Sequence, residues 1–501
     1  MDLLPTPDSL YAAERRLFNI DAEARPRLGV SFSGGGNRAA AFAIGVMRAL
    51  HEKRVLRNVD VISAVSGGSY ALSWYLLQSY YGSSTEPERL AAIHDEMMDP
   101  DGRFQTYLQA HAKPFGALDG ASFAMLAALA GLFTVAMFNP LRLLAQLMAL
   151  VPGMKPKLRN QLNAVSAVRA NYREGIQRTY QMVPDANGRR AVEPPRRRIA
   201  QYAAHLLLSE APAVTFPMMR DFAQRRLPAF VFNTTVRPPL GEEPLGDRIF
   251  EIGSVGFGSN SCGFVNWTAT EGLGWDPGID ATLQREPSPF ATLRSLNAAP
   301  AISGAAISDA ALEEGWKKWA LVASNFGLEY LVPDPSDERR TLRLSDGGHS
   351  ENLGAYALLR RRCASILVVD AEFEPTASYT FHGYRRLKSA ASRELQAEIS
   401  VPVIDNQAFS STNAICRGSV TYGDRSTGDL YYLKLSLERA SLEHRLADIR
   451  SYAAGHPAFP HETTADQYYG PERFRAYTAL GYDLALKLPE ELCASRSAME
   501  V

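Results

Sequence analysis

The sequence predicts an α/β protein, a parallel sheet covered by helices. Three observations carry this expectation. Residues 28–38, LGVSFSGGGNR, run from an apolar strand through glycines into a helical pattern, and residues 59–70, VDVISAVSGGSY, repeat the arrangement. Apolar strand-like runs resume from residue 227 onward. The composition, 46% hydrophobic and 21% charged over 501 residues, is globular. It suits a large core or about two to four domain-sized units.

The elements follow in order. Residues 28–33 and 59–65 are apolar runs of strand length. Residues 37–53 place Ala40, Ile44, Met47 and Leu50 at helical spacing, and residues 67–80 continue as a second helix. Strand, helix, strand, helix at this spacing points to parallel pairing. Further strand-like runs cover 228–236, 248–252, 341–344, 365–371 and 430–435. A helical pattern covers 352–362. Residues 376–428 read as mixed and turn-rich, and residues 456–487 as a polar loop leading to a C-terminal helix. No internal repeat and no low-complexity segment is present.

Residues 111–200 stand apart. From Gly120 to Leu141 there are 22 residues without a charge. That is about the length that crosses a bilayer. Residues 155–198 then carry eleven Lys and Arg, from Lys155 to Arg198, against Glu174, Asp185 and Glu193. An apolar helix followed by a basic stretch suits an anionic membrane surface. A buried core helix with a solvated basic face, or a single membrane span, are the other readings.

Charge and cysteines narrow the class. The net charge of −1 argues against a dedicated nucleic-acid binder. Cys262, Cys363, Cys416 and Cys493 are far apart and form no C-x-x-C pair, which favours a reducing, cytoplasmic compartment and no zinc site. The start, MDLLPTPD, has no basic region before an apolar run, so no signal peptide is expected.

The candidate chemistry lies in three short segments. Ser66 sits on a tight strand-to-helix turn, AVSGG, where a hydroxyl can project as a nucleophile. The usual elbow, G-x-S-x-G, has a glycine where this chain has Ala64, a small and mild departure. Ser63 lies within the strand and Ser69 one turn into the helix, so Ser66 is better placed. Gly34, Gly35 and Gly36 offer backbone N–H groups at a helix N-terminus, a site for an oxyanion, with Gly67 N–H as a further donor. A nucleotide loop fits less well. The segment lacks the Gly-Lys-Ser/Thr ending of a P-loop and the G-x-G-x-x-G spacing, with Ala39 three residues after Gly36.

Arg38 could pair with a phosphate or hold the loop through a structural carboxylate. Asp346, followed by two glycines at a strand end, reads equally as a turn-capping residue or as a base. His349, three residues on, leaves a Ser66–His349 pair open.

The segments GGGNR (34–38), the elbow around Ser66 and DGG (346–348) occur in the order seen in patatin-like phospholipases, and the chain also resembles the related cytosolic phospholipase A2 catalytic domain. FNTT (232–235), SGAA (303–306), DGGHSENLG (346–354) and FPHETTADQ (459–467) resemble the bacterial branch of that family. The resemblance covers roughly residues 26–80 and 227–487.

It implies a modified α/β-hydrolase fold, a central mixed sheet sandwiched by helices. It implies a Ser–Asp dyad without histidine: Ser66 as nucleophile, Asp346 as base, Gly34, Gly35 and Gly36 as oxyanion hole, and Arg38 at the lipid phosphate. No cofactor or metal is called for. Residues 1–110 and 201–501 are then a discontinuous catalytic domain, with 111–200 inserted as a lid or membrane-contacting element. The expected activity is acyl-ester hydrolysis of glycerophospholipids at a membrane surface. A non-catalytic membrane-binding protein on the same fold, and an esterase or lysophospholipase on soluble esters, are the alternatives.

Overall fold

The computed structural model describes residues 6–20, 25–112, 167–185, 214–224, 226–237, 248–268, 291–304, 330–334, 341–374, 379–464 and 466–493. Its centre, among the described residues, is a 12-stranded mixed sheet. In chain order the strands are β1 (Leu28–Phe32), β2 (Val61–Val65), β3 (Ala229–Arg237), β4 (Ile249–Gly253), β5 (Gly256–Ser259) and β6 (Gly263–Asn266). They continue with β7 (Tyr330–Pro333), β8 (Thr341–Asp346), β9 (Ser365–Asp370), β10 (Glu398–Ser400), β11 (Ile415–Thr421) and β12 (Thr427–Lys434).

Five strands, β12-β9-β1-β2-β3, run parallel through the middle. Antiparallel strands extend each side: β11 and β10 beyond β12, and the meander β4-β5-β6 beyond β3. β1 and β2 are buried at every residue. Parallel strands covered on both faces carry such unbroken apolar runs. β11 alternates instead, with Cys416 and Val420 inward and Arg417, Ser419 and Thr421 outward.

Helices flank the sheet. Helix α1 (Pro7–Leu17) precedes β1, α2 (Gly36–Glu52) follows it, and α3 (Gly67–Ser83) follows β2. Fourteen of the seventeen residues of α2 are buried, as are fourteen of seventeen in α3. Phe42, Ile44, Met47 and Leu50 of α2 are fully buried, and each such burial contributes roughly 1.5–3 kcal/mol. Packing therefore fixes α2, and its N-cap, Gly35, makes no side-chain capping bond. Along its length α2 meets the helix Pro471–Ala485 at very short range: a Cβ on Gly45 would lie 2.0 Å from Thr478 O, and one on Gly481 2.2 Å from Phe42 O.

The sequence expectations and the structure differ in two stretches. The helical pattern 352–362 shortens to Tyr356–Arg360. The cause is the buried Glu351 carboxylate, which accepts the amides of Leu353 at 2.5 Å and Tyr356 at 3.2 Å, so the chain turns about it before the helix starts. The turn-rich stretch 376–428 contains a helix, His382–Leu395, together with β10 and β11.

The apolar run 120–141 and most of the basic stretch lie outside the described residues. Among the described residues no helix is long and apolar enough to cross a membrane. The described part of 111–200 holds the helix Ala167–Tyr180, which packs against α3 and the helix Arg103–His111. Among the cysteines, Cys262, Cys363 and Cys416 are buried free thiols.

Candidate active site

Sheet register alone brings Ser66 and Asp346 together. β2 runs parallel to β3 and ends with Val65 opposite Asn233. β8 runs antiparallel to β3 and ends with Asp346 opposite Thr234. Asn233 and Thr234 are consecutive, so two strands approach head-on along one edge of β3. Their ends meet at the same point, and the carboxyl ends of parallel strands are where open α/β sheets bind ligands. Ser66 Oγ donates to Asp346 Oδ2 at 3.0 Å, with both residues buried.

Ser66 occupies the turn between β2 and α3. Ser66 has φ 48° and ψ −117°, a conformation that costs a non-glycine residue of order 1–3 kcal/mol. The surroundings hold it there. Ser66 N donates to Ser303 Oγ at 2.8 Å, Ser303 Oγ donates to Asn233 O at 2.6 Å, and Ser69 Oγ donates to Ser303 Oγ at 2.9 Å. Ser63 is inside the strand and bonds Gly354 O at 2.6 Å. Ala64 is fully buried in β2 and its carbonyl accepts Asn233 Nδ2 at 3.0 Å, so the missing elbow glycine leaves the turn intact.

The glycine row lies directly against this turn. Gly35 and Gly36 have φ 138° and 59°, values that favour glycine. A Cβ on Gly67 would lie 2.1 Å from Gly36 O and 2.6 Å from Gly36 N. Gly36 and Gly67 are the first residues of α2 and α3. The positive ends of two helices therefore converge beside Ser66, a setting that favours negative charge.

Two expectations for this row need correction. Gly34 N donates to Asn352 O at 2.8 Å, so its amide is engaged within the protein. Gly35, Gly36 and Gly67 are the remaining candidate donors. Arg38, expected at a lipid phosphate, is 1% exposed. Its Nε donates to Ala371 O at 3.0 Å, one terminal nitrogen to Glu462 O, and the other to Thr464 Oγ1 at 3.1 Å. It thereby fastens the 462–464 loop to the start of α2, and its partners are carbonyls and a hydroxyl, not a carboxylate.

Asp346 is oriented by its own turn. Its Oδ1 accepts Gly348 N at 2.6 Å, which leaves Oδ2 toward the serine. The capping and base readings of Asp346 thus use different oxygens of one carboxylate. His349 Nδ1 lies 3.1 Å from Ser345 Oγ and 3.1 Å from an Arg237 guanidinium nitrogen. A guanidinium only donates, so Nδ1 accepts and is directed at Arg237.

Several supporting residues carried no chemical signal in the sequence. Asn233 and Ser303 sit in the family-like stretches FNTT and SGAA, whose roles the motifs do not reveal. Asn352 links the two loops, its carbonyl on Gly34 and its side-chain Nδ2 donating to Glu372 Oε1 at 2.7 Å. Burial, and then Asp370, pushes the Glu372 carboxyl up to about 7, with Lys434 opposing. Tyr70, one turn after Ser66, has its hydroxyl pushed well above the ordinary phenol range by burial.

A cleft of about 570 Å³ lies at the opposite end of α2 around Arg48, His51 and Tyr482, and its lining does not include the dyad. Among the described residues no group of three or more His, Cys, Asp or Glu side chains is arranged to hold a metal.

A mixed sheet flanked by helices, with a strand-to-helix turn at Ser66 beside a glycine row, is an α/β-hydrolase-like fold. Residues 30–197 match the family described as patatin-like phospholipase, a span that includes the glycine row and Ser66 and stops short of Asp346. The structure is similar to human GIVD cytosolic phospholipase A2, with a TM-score of 0.53 and 14% identity over 96% of this chain and 62% of that one. It is also similar to the same human protein in complex with methyl gamma-linolenyl fluorophosphonate, with a TM-score of 0.45 and 14% identity over 96% of this chain and 61% of that one. This chain therefore spans less than two thirds of the length of those structures. No curated protein matches it. The resemblance to patatin-like phospholipases that the motifs carry is thus met by a family match, and the expected fold by solved structures.

Proposed function

We propose that this protein is a lipid acyl hydrolase that cleaves fatty-acyl esters of glycerophospholipids through a Ser66–Asp346 dyad and an acyl-enzyme. The observation that carries the reading is the 3.0 Å bond from Ser66 Oγ to Asp346 Oδ2 at a strained elbow facing two helix N-termini. Ser66 Oγ attacks the ester carbonyl carbon as its proton passes to Asp346 Oδ2. The carbonyl oxygen becomes an oxyanion held by the amides of Gly35, Gly36 and Gly67, each worth about 100–1,000-fold in rate where such a donor is lost. Collapse breaks the bond to the leaving alcohol, which takes the proton from Asp346. Water then attacks the acyl-serine, gives its proton to Asp346, and releases the fatty acid as Ser66 regains a proton.

The partner in this reading is a phospholipid membrane surface. Residues 1–110 and 201–501 supply the catalytic domain, and 111–200 is inserted in it, its apolar run 120–141 being the membrane-contacting element of a cytoplasmic, membrane-associated enzyme. The test is fatty-acid release from phosphatidylcholine vesicles by wild type and Ser66→Ala. Wild type should release fatty acid and the folded variant should not. Equal release by both would refute the assignment of Ser66, and release by neither would refute the hydrolase reading.

A further inference from the structure

We propose that the helix Ala167–Tyr180 is a clamp that holds the nucleophile turn and the oxyanion loop in register, with Tyr172 and Tyr180 as its positioning residues. The proposal rests on the hydrolase reading above and concerns residues to which neither the motifs nor the family match assign a role.

The helix reaches both loops through buried hydroxyls. Tyr180 is fully buried and its hydroxyl donates to Asn37 Oδ1 at 2.6 Å. Asn37 directly follows Gly36, and its own amide and side-chain nitrogen donate to Gln467 Oε1 at 3.0 Å and Gln467 O at 2.6 Å. Tyr180 thus completes the set of bonds that fixes the first turn of α2. Two turns earlier, Tyr172 donates to Gly304 O at 2.6 Å and bonds the hydroxyl of Tyr70. Gly304 directly follows Ser303, whose hydroxyl holds the Ser66 amide. Tyr70 lies in the first turn of α3, and its ring packs on that of Tyr180 with centroids 5.5 Å apart.

Proton counting fixes the direction of the Tyr pair. The Tyr172 proton goes to Gly304 O, so Tyr70 supplies the proton between the two hydroxyls. Buried hydroxyls left without partners are costly, so this arrangement resists sliding of either loop. One rigid element then touches the residue after the glycine row and the residue after the serine brace. Catalysis by amide donors depends on such placement: a shift of about 1 Å costs about 100-fold in rate.

The same helix offers an internal control. Tyr107 donates to Arg178 O, so it anchors this helix at a backbone carbonyl distinct from the Asn37 and Gly304 contacts of Tyr180 and Tyr172. Loss of the Tyr107 hydroxyl tests anchoring alone.

The experiment is the rate of covalent capture by an alkyl fluorophosphonate, read with kcat and KM on a soluble nitrophenyl ester, for wild type, Tyr172→Phe, Tyr180→Phe and Tyr107→Phe. Both ring-conserving variants at the clamp should lower the capture rate and kcat about tenfold, within the range such misplacement gives, with KM unchanged within twofold. Tyr107→Phe should stay within twofold of wild type in capture and kcat. Wild-type rates in Tyr172→Phe and Tyr180→Phe overturn the clamp while leaving the hydrolase reading intact. An equal loss in Tyr107→Phe also overturns it, because general loosening would then explain the effect. Absence of capture in wild type overturns the hydrolase reading and the clamp with it. Should Tyr180→Phe not fold, Tyr172→Phe carries the test of the clamp on its own.

Discussion

Replacing Asp346 by asparagine should separate the two oxygens of that carboxylate. Oδ1 accepts Gly348 N at 2.6 Å, and an amide oxygen will keep that place because the backbone N–H needs an acceptor. The new NH₂ then occupies the position of Oδ2, 3.0 Å from Ser66 Oγ. An amide nitrogen donates and cannot accept the serine proton. Loss of a general base costs about 100–10,000-fold, roughly 2.7–5.5 kcal/mol at 1.36 kcal/mol per tenfold. The fixed amide orientation places the effect in the upper part of that range, about 1,000-fold or more. The assay is pre-steady-state acylation with a nitrophenyl ester, alongside a urea titration to confirm folding. A folded Asp346→Asn variant that acylates at more than a tenth of the wild-type rate would refute the assignment of the base.

Three further outcomes follow from the packing. Arg361 is 2% exposed by side chain and bonds Glu14 at 2.6 Å and Glu251 at 2.7 Å, so Arg361→Met leaves Glu251 to Arg360 and strips buried Glu14 of that guanidinium, with the Ser254 hydroxyl still on it at 3.1 Å. Breaking such a network from one side costs about 3–5 kcal/mol, readable in a urea melt, and a loss under about 1 kcal/mol would contradict it. Gly67→Ala places a methyl 2.1 Å from Gly36 O and should part the elbow from the glycine row, lowering kcat about 100-fold or more; a wild-type kcat would show the contact to be soft. For Glu372 the folded pKa, about 7, lies above the ordinary 4.5. The native state therefore holds the extra proton between those values, and stability from this group declines as pH rises from about 4.5 through 7. Glu372→Gln should flatten that decline between pH 5 and 8 in urea midpoints, and parallel curves for the two proteins would count against it.

What the sequence reveals here follows from how each feature is encoded. β1, α2, β2 and α3 are legible because their apolar periodicities are long and glycines punctuate them. Ser66 and Asp346 are legible because a turn and a strand end announce them, although they are 280 residues apart. Their meeting is a matter of register on β3, which no local pattern encodes. The helix His382–Leu395 and strand β11 are less legible because many of their residues are polar and outward-facing. Gly34 and Arg38 show the same limit. Whether an amide or a guanidinium faces a ligand or a carbonyl depends on Asn352, Glu462 and Thr464, which arrive from distant segments.

The most direct test of the dyad is the site of covalent modification. After treatment with an alkyl fluorophosphonate, intact-mass and peptide analysis should show one adduct, on Ser66, in wild type and none in Ser66→Ala. An adduct on Ser63 or Ser69 with Ser66 unmodified, or an equal adduct in Ser66→Ala, would contradict it.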